Sequence, residues 1–254
     1  MPEYDIPIDY NISKRSLYTL VTRFLLSNIL LVVLWVESPE WDINAAGEGE
    51  EGKERLPSWV PDFMTRQSAV TLAMNASYTC FSAGKGFPAI SEEPRFRQSR
   101  DCERLALRVL RVAVVRQTWD TRLTHDPILE GTDKVRLFTY ELISDCDATA
   151  GREHDKPPVR EQGDSEFSFQ NTNWGPCHCE VGDVIVVAAG CNVPLIVREN
   201  LEEGYLFVGG CWLIDGMIRD LTELKDDPGF SPLMFGSACV GDDVEGRVEE
   251  IMLV

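Results

Sequence analysis

The residues best equipped for chemistry are Cys177-His178-Cys179, two thiols flanking one of the three imidazoles in the chain. Thiolate and imidazole are good zinc ligands, and a thiol beside an imidazole is also the heart of a nucleophilic dyad. Zinc sites, however, space paired cysteines by two to four residues and supply a second pair elsewhere. Here the spacing is one, and no second Cys/His pair stands out. Cys146 and His154 reach the site only if the fold brings them. Dyad partners meet through the fold rather than as chain neighbours, and only His125, His154 and His178 could serve. No GxGxxG, GxxxxGK[ST], GxSxG, HExxH or Asp-rich calcium loop occurs. The 42 Asp and Glu residues are too many to nominate an acid/base pair. The sequence therefore assigns no catalytic residue, no cofactor and no metal. Cys177, His178 and Cys179 are its nearest approach to a ligand set.

Charge narrows the partners. The 254 residues carry a formal charge of −18, from 24 basic and 42 acidic side chains. Such a surface is repelled by nucleic-acid phosphates and anionic lipids, and no long basic run offsets it, so no nucleic acid is expected. The eight cysteines are scattered, and the acidic, polar N-terminus carries no secretory pattern. The expectation is a cytoplasmic chain with reduced thiols, mostly buried as small hydrophobes.

The elements that position these residues are clearest at 182–217. Asp183–Ala189, Val193–Val197 and Tyr205–Ile214 are three β-branched and aromatic runs, broken at Gly190-Cys191-Asn192 and at Glu199–Gly204. Such a pattern reads as an antiparallel meander. Pro194 opens the second run, where its missing N–H does least harm. Asp183 is placed to serve a turn by accepting from nearby backbone N–H groups. By strand alternation Tyr205, Phe207 and Gly209 share one face, and Leu206 and Val208 the other. A peptide or partner strand could lie along the glycines and aromatics of this meander.

Elsewhere the chain divides into four stretches. Residues 1–36 form a helical segment. Leu17, Leu20, Val21, Phe24 and Leu25 fit the stripe of a helix packed on a core, capped by Asn11 or Ser13. From Ile29 to Val36 it is apolar all round. Leu17–Val36 is long enough to suggest a bilayer span, but Arg23, Ser27 and Asn28 interrupt it, which favours a buried helix. Residues 37–55 are acidic and glycine-rich and read as a flexible loop. Residues 56–225 form a mixed body. In it the two prolines around Trp59 stiffen the backbone, making Trp59 a core plug rather than a ligand platform. A weak strand is expected at 77–81, a clear one at 105–117, and a helix at 135–150, where Leu137, Phe138, Glu141 and Leu142 fall at helical spacing. Residues 226–254 read as an irregular tail. The fold expected is α+β: an N-terminal helix, an irregular middle, and a β-rich C-terminal meander or small partly closed barrel with one packed helix.

Three ordered segments resemble the C-terminal region of fungal heterokaryon-incompatibility (HET) domain proteins. They are Pro7-Ile8-Asp9-Tyr10 before a helix, Leu56-Pro57-Ser58-Trp59-Val60-Pro61-Asp62, and the stretch from Gly182-Asp183 through Pro194-Leu195-Ile196-Val197-Arg198 and Tyr205–Gly209 to Gly216-Met217. Two places depart from the family pattern. The glycine-rich stretch before Gly182 is reduced to Asn173-Trp174-Gly175-Pro176, and the acidic-glycine ending becomes Ile218-Arg219-Asp220. In the family the HET domain lies N-terminal to the Asp-Tyr segment, so the chain is similar to the C-terminal half only. The resemblance implies a non-enzymatic regulatory or interaction region in nonself recognition and programmed cell death, with a protein partner. It marks Trp59, Asp183, Pro194, Arg198, Tyr205, Gly209 and Gly216 as signature positions. The other readings are a small cysteine- or acid-dependent enzyme, and an interaction protein tethered to a membrane by residues 17–36.

Overall fold

The computed structural model describes residues 11–29, 56–63, 81–84, 87, 96–98, 104–120, 135–143, 169–170, 173–200, 204–213, 217–218, 231–239 and 244–254. Over these residues the chain is mixed α+β: an N-terminal helix lies beside a larger body that is mostly strand.

Helix α1 spans Lys14–Ile29. Ser13 caps it: its Oγ accepts from the Ser16 N–H at 3.2 Å, satisfying a donor that the first turn leaves without a helical acceptor. The helix docks through only part of the expected stripe. Among its described side chains Thr19, Thr22 and Leu26 are buried and Leu25 packs half-buried against the core, while Leu17, Leu20, Val21 and Phe24 are only half-buried. The face is rotated because the helix packs on residues 56–63 through Lys14, Tyr18 and Arg23. Lys14 Nζ reaches Asp62 at 2.7 Å, Tyr18 meets the Phe63 ring edge-on, and Arg23 lies over Trp59. Residues 30–36, the acidic loop at 37–55 and most of the weak strand at 77–81 lie outside the described residues.

The central element is β2, Leu105–Asp120. It is three residues longer than the sequence suggests, and from Leu105 to Val115 its apolar side chains, Val114 excepted, are buried on both faces. Two register shifts, at Arg111/Ala113 and Val115/Gln117, interrupt its pairing. Bulges of this kind bend a strand and sharpen its twist, so β2 serves successive partners along each edge. Its first half pairs β1 (Phe96–Gln98) on one side and β10 (Glu249–Leu253) on the other. Its second half pairs β6 (Val184–Ala188) and β3 (Val135–Leu142), and β3 pairs β5 (Asn173–Pro176). The meander continues from β6 to β7 (Leu195–Asn200) and β8 (Gly204–Gly210), all antiparallel. β4 (Phe169–Gln170) and β9 (Met217–Ile218) make a separate short pair.

Among the described residues, the route β2–β6–β7–β8–β10 returns to β2. Its closing seam is one parallel register pair, Leu253↔Tyr205. The sheet thus forms a partial ring and stops short of a continuous barrel. Away from that seam, β5 meets the segment after β8 at an isolated bridge between Trp174 and Trp212, whose backbones exchange two hydrogen bonds and whose rings stack at 5.8 Å. One core cluster gathers side chains from α1, residues 59–60 and the strands.

Two expectations are corrected. The helix expected at 135–150 is strand β3 over Val135–Leu142, and residues 144–150 lie outside the description. Leu137 and Phe138 are adjacent yet both buried; pairing with β2 on one side and β5 on the other overrides the helical spacing. The irregular tail contains short 3-10 turns at Pro232–Phe235 and Ser237–Cys239, one helical turn at Val244–Arg247, and β10. In β10 the buried residues Ile251 and Leu253 alternate with the more exposed Glu250 and Met252, the period-2 pattern of a half-buried strand.

Candidate functional site

Between β5 and β6 the chain turns through Cys177–Asp183 and is stitched to β2. Gly182 N–H donates to the Val115 carbonyl, and Val115 N–H donates to the Asp183 carbonyl, each at 2.9 Å. The turn needs Gly182 at φ +96°, in the region that glycine enters without steric cost. Asp183 lies at the base of the turn with its side chain 1% exposed. It accepts from the Glu180 N–H at 2.8 Å and from Arg198 Nε and Nη2 at 2.6 and 3.0 Å. The turn role expected of Asp183 is therefore present, with a second duty as an ion-pair partner.

Arg198 does more than neutralise Asp183. Its Nη2 donates to the His178 carbonyl at 2.7 Å, and its Nη1 meets Glu180 Oε2 at 3.0 Å. Arg136, from β3, donates to the Cys179 carbonyl at 2.9 Å. Two guanidinium groups from two strands thus hold the peptide carbonyls of one turn. Burial works against the charge on Arg198, but the hydrogen bonds and attraction of Asp183, followed by Glu180, outweigh it and raise its pKa.

A second polar group ties the strands near the seam. Arg111 of β2 donates to Glu249 of β10, to Glu199 of β7 and to the Tyr205 hydroxyl of β8, and it stacks over the Tyr205 ring at 5.3 Å. Tyr205 in turn donates to Glu199 at 3.2 Å. Burial alone would lower the Arg111 pKa, but the two carboxylates raise it. Burial is also the leading cause of the upward shift at Tyr205.

The Leu56–Asp62 segment meets the meander at Ser58. Its hydroxyl donates to the Val254 carbonyl and accepts from the Phe207 N–H at 3.0 Å, while its own N–H donates to the same carbonyl at 2.9 Å. Trp59 beside it is 1% exposed and sits in the core, as a plug does.

Cys179, Cys191 and Cys211 are buried, and desolvation pushes all three thiols up, with Asp183 adding to the effect at Cys179. Cys177 differs: it is half-buried, and its Sγ lies 3.3 Å from His178 Nε2. Among the described residues no three His, Cys, Asp or Glu side chains converge as a metal site would require.

The structure brings Asp183 and Arg198 together and places Tyr205 in the separate Arg111 group. Pro194 is buried where β7 begins, its carbonyl accepting from the Cys211 N–H at 3.0 Å. Gly209 falls beside a bulge in β8 that breaks the expected alternation, so Phe207, Val208 and Gly209 are all buried. Gly216 lies outside the described residues. Sequence reasoning did not single out Arg136, Glu199 or Glu249; Arg111 reads from the sequence only as solvated or paired with the acidic excess, and the structure pairs it with Glu249, 138 residues away. Ser58 lies within the Leu-Pro-Ser-Trp-Val-Pro-Asp segment, but nothing in its type announces a bridge.

Comparison with protein-family models, with curated proteins and with solved structures found no match.

Proposed function

We propose that this chain is a non-enzymatic regulatory or interaction region of a fungal HET-domain protein, acting through a protein partner in nonself recognition and cell death. The single observation that carries the reading is the Ser58 junction. The Leu-Pro-Ser-Trp-Val-Pro-Asp segment and the meander segment, the two longer parts of the resemblance, are more than 100 residues apart in the chain. Yet Ser58 joins them directly by accepting from the Phe207 N–H, and indirectly by donating to the carbonyl of Val254, whose N–H donates to the Tyr205 carbonyl. The helix that follows Pro7-Ile8-Asp9-Tyr10 docks on the Leu56–Asp62 segment through Lys14 and Asp62.

The way the signature residues spend their polar atoms supports the non-enzymatic part. Both carboxylate oxygens of Asp183 are engaged within the turn, and Arg198 is committed to Asp183, Glu180 and the His178 carbonyl. A catalytic group must instead present a polar atom to substrate. The acidic surface fits a protein partner better than a polyanion. Among the described residues no helix is long and apolar enough to cross a membrane.

The test is in hyphae. A HET domain is expressed alone, fused to this chain, fused to the chain carrying Arg198→Met, or fused to an unrelated acidic domain of equal size. The reading predicts that the intact chain shifts the onset or threshold of growth arrest and that the variant loses the shift. An intact chain that behaves like the unrelated domain overturns it.

A further inference from the structure

We propose that Cys177 is a regulatory thiol, activated by His178, that reacts with hydroperoxides and other soft electrophiles. The proposal concerns a modification site rather than turnover, and it stands whether or not the HET reading holds.

Three observations carry it. Cys177 Sγ and His178 Nε2 are 3.3 Å apart, within hydrogen-bonding range for sulfur. An imidazolium at that distance stabilises a thiolate, and the thiolate is the reactive form of cysteine. Next, the pair stands on a fixed backbone. Arg198 holds the His178 carbonyl and Arg136 holds the Cys179 carbonyl, so the residues carrying the pair sit in a braced turn. Finally, the described thiols contrast with one another. Cys179, Cys191 and Cys211 are buried, whereas Cys177 is half-buried. Among the described residues, the charged groups gathered at this turn are Arg136, Arg198, Glu180 and Asp183. Both carboxylates are bound to Arg198, which limits their opposition to a thiolate.

The step balances with a hydroperoxide as the named oxidant. The Cys177 thiolate attacks the terminal oxygen of the hydroperoxide, the S–O bond forms and the O–O bond breaks. Sulfur loses two electrons and becomes a sulfenic acid, and the departing alkoxide, or hydroxide from hydrogen peroxide, takes the Nε2 proton of His178 to leave as the alcohol or as water. For alkylating agents, the thiolate displaces the halide directly.

The experiment uses the full chain and iodoacetamide at pH 6.5, with peptide mass spectrometry reading each thiol separately. The same chain unfolded in urea supplies the reference. An ordinary thiol is about 1% thiolate at this pH, so a thiol held more as thiolate reacts faster even after allowing for its lower intrinsic nucleophilicity, and a gain of roughly 5-fold or more marks activation. We expect Cys177 to react that much faster folded than unfolded. We expect His178→Gln, shown folded by circular dichroism, to bring the rate back to the unfolded value; His178→Asn replaces it if the first variant misfolds. After treatment with one equivalent of hydrogen peroxide, dimedone should label Cys177, and Cys177→Ser should remove that adduct. A Cys177 no faster in the folded chain, or one whose rate ignores loss of the imidazole, overturns the proposal.

Discussion

Replacing Arg198 with methionine should destabilise the chain more than any exposed charge change. Methionine keeps most of the apolar stem while removing the charge and the donors. Left behind is Asp183, with its side chain 1% exposed and two of its three hydrogen bonds gone. Breaking a buried ion pair from one side costs about 3–5 kcal/mol, against a total stability of about 5–15 kcal/mol for a typical domain. The Arg198 side chain retains 16% exposure, so some water can relieve the stranded carboxylate, and a loss of about 3 kcal/mol is expected. With a urea dependence of about 3 kcal/mol per molar, the unfolding midpoint falls by roughly 1 M without a change of slope. Asp183→Asn keeps an acceptor for the Glu180 N–H but loses the charge-assisted bonds, at about 1.5–3 kcal/mol. The double variant strands no charge, so the two losses should fall short of additivity by at least about 1.5 kcal/mol. A midpoint shift below about 0.3 M for Arg198→Met, with strict additivity in the double variant, refutes the clasp.

Three further outcomes follow from the same geometry. Ser58→Ala leaves the buried Phe207 N–H without its acceptor and should cost about 1–3 kcal/mol in urea unfolding, with faster hydrogen exchange at the Phe207 amide. Gly204 and Gly182 both have positive φ, but a Cβ on Gly204 would lie 2.5 Å from the Met252 carbonyl oxygen, while one on Gly182 meets nothing within 4 Å. Gly204→Ala should therefore loosen β10 and lose clearly more stability by thermal unfolding than Gly182→Ala, which carries only backbone strain of about 1 kcal/mol. The buried thiols Cys179, Cys191 and Cys211 hold their protons more tightly folded than unfolded. Their contribution is complete below the unfolded thiol pKa of about 8.5 and is lost as pH rises beyond it, at about 1.4 kcal/mol per pH unit for each thiol. Urea midpoints measured from pH 8 to 10.5 should fall accordingly, with a shallower slope in Cys191→Ala.

The sequence was most legible where local pattern and tertiary role agree. The meander strands β6 to β8 and the strand beginning at Leu105 are β-branched and bounded by turn residues, and they appear close to the expected limits. Ser13 caps α1 for a purely local reason. Legibility failed where long-range pairing decides. Strand β3 carries a helical spacing of apolar residues, and only its two neighbours make it a strand. Strand β10 follows a stretch rich in Pro and Gly, and its alternation is short. The rotated face of α1 depends on where residues 56–63 lie, which no helical wheel contains. At the candidate site, Asp183 was readable as a turn residue. Its partner Arg198 came from the resemblance, as did Tyr205, and the acidic excess suggested that Arg111 is solvated or paired without naming partners that lie on three other strands.

That the signature segments form one cooperative unit is tested most directly by native-state hydrogen exchange on the wild-type chain and on Ser58→Ala. In the wild type, the amides of Val60, Phe207 and Val254 and those of β6 should open with one common free energy. In Ser58→Ala, the amides of Val60, Phe207 and Val254 should open more readily together. If Val60 exchanges through small independent openings while β6 stays protected, and Ser58→Ala changes nothing at Phe207, the segments are separate and the common unit is contradicted.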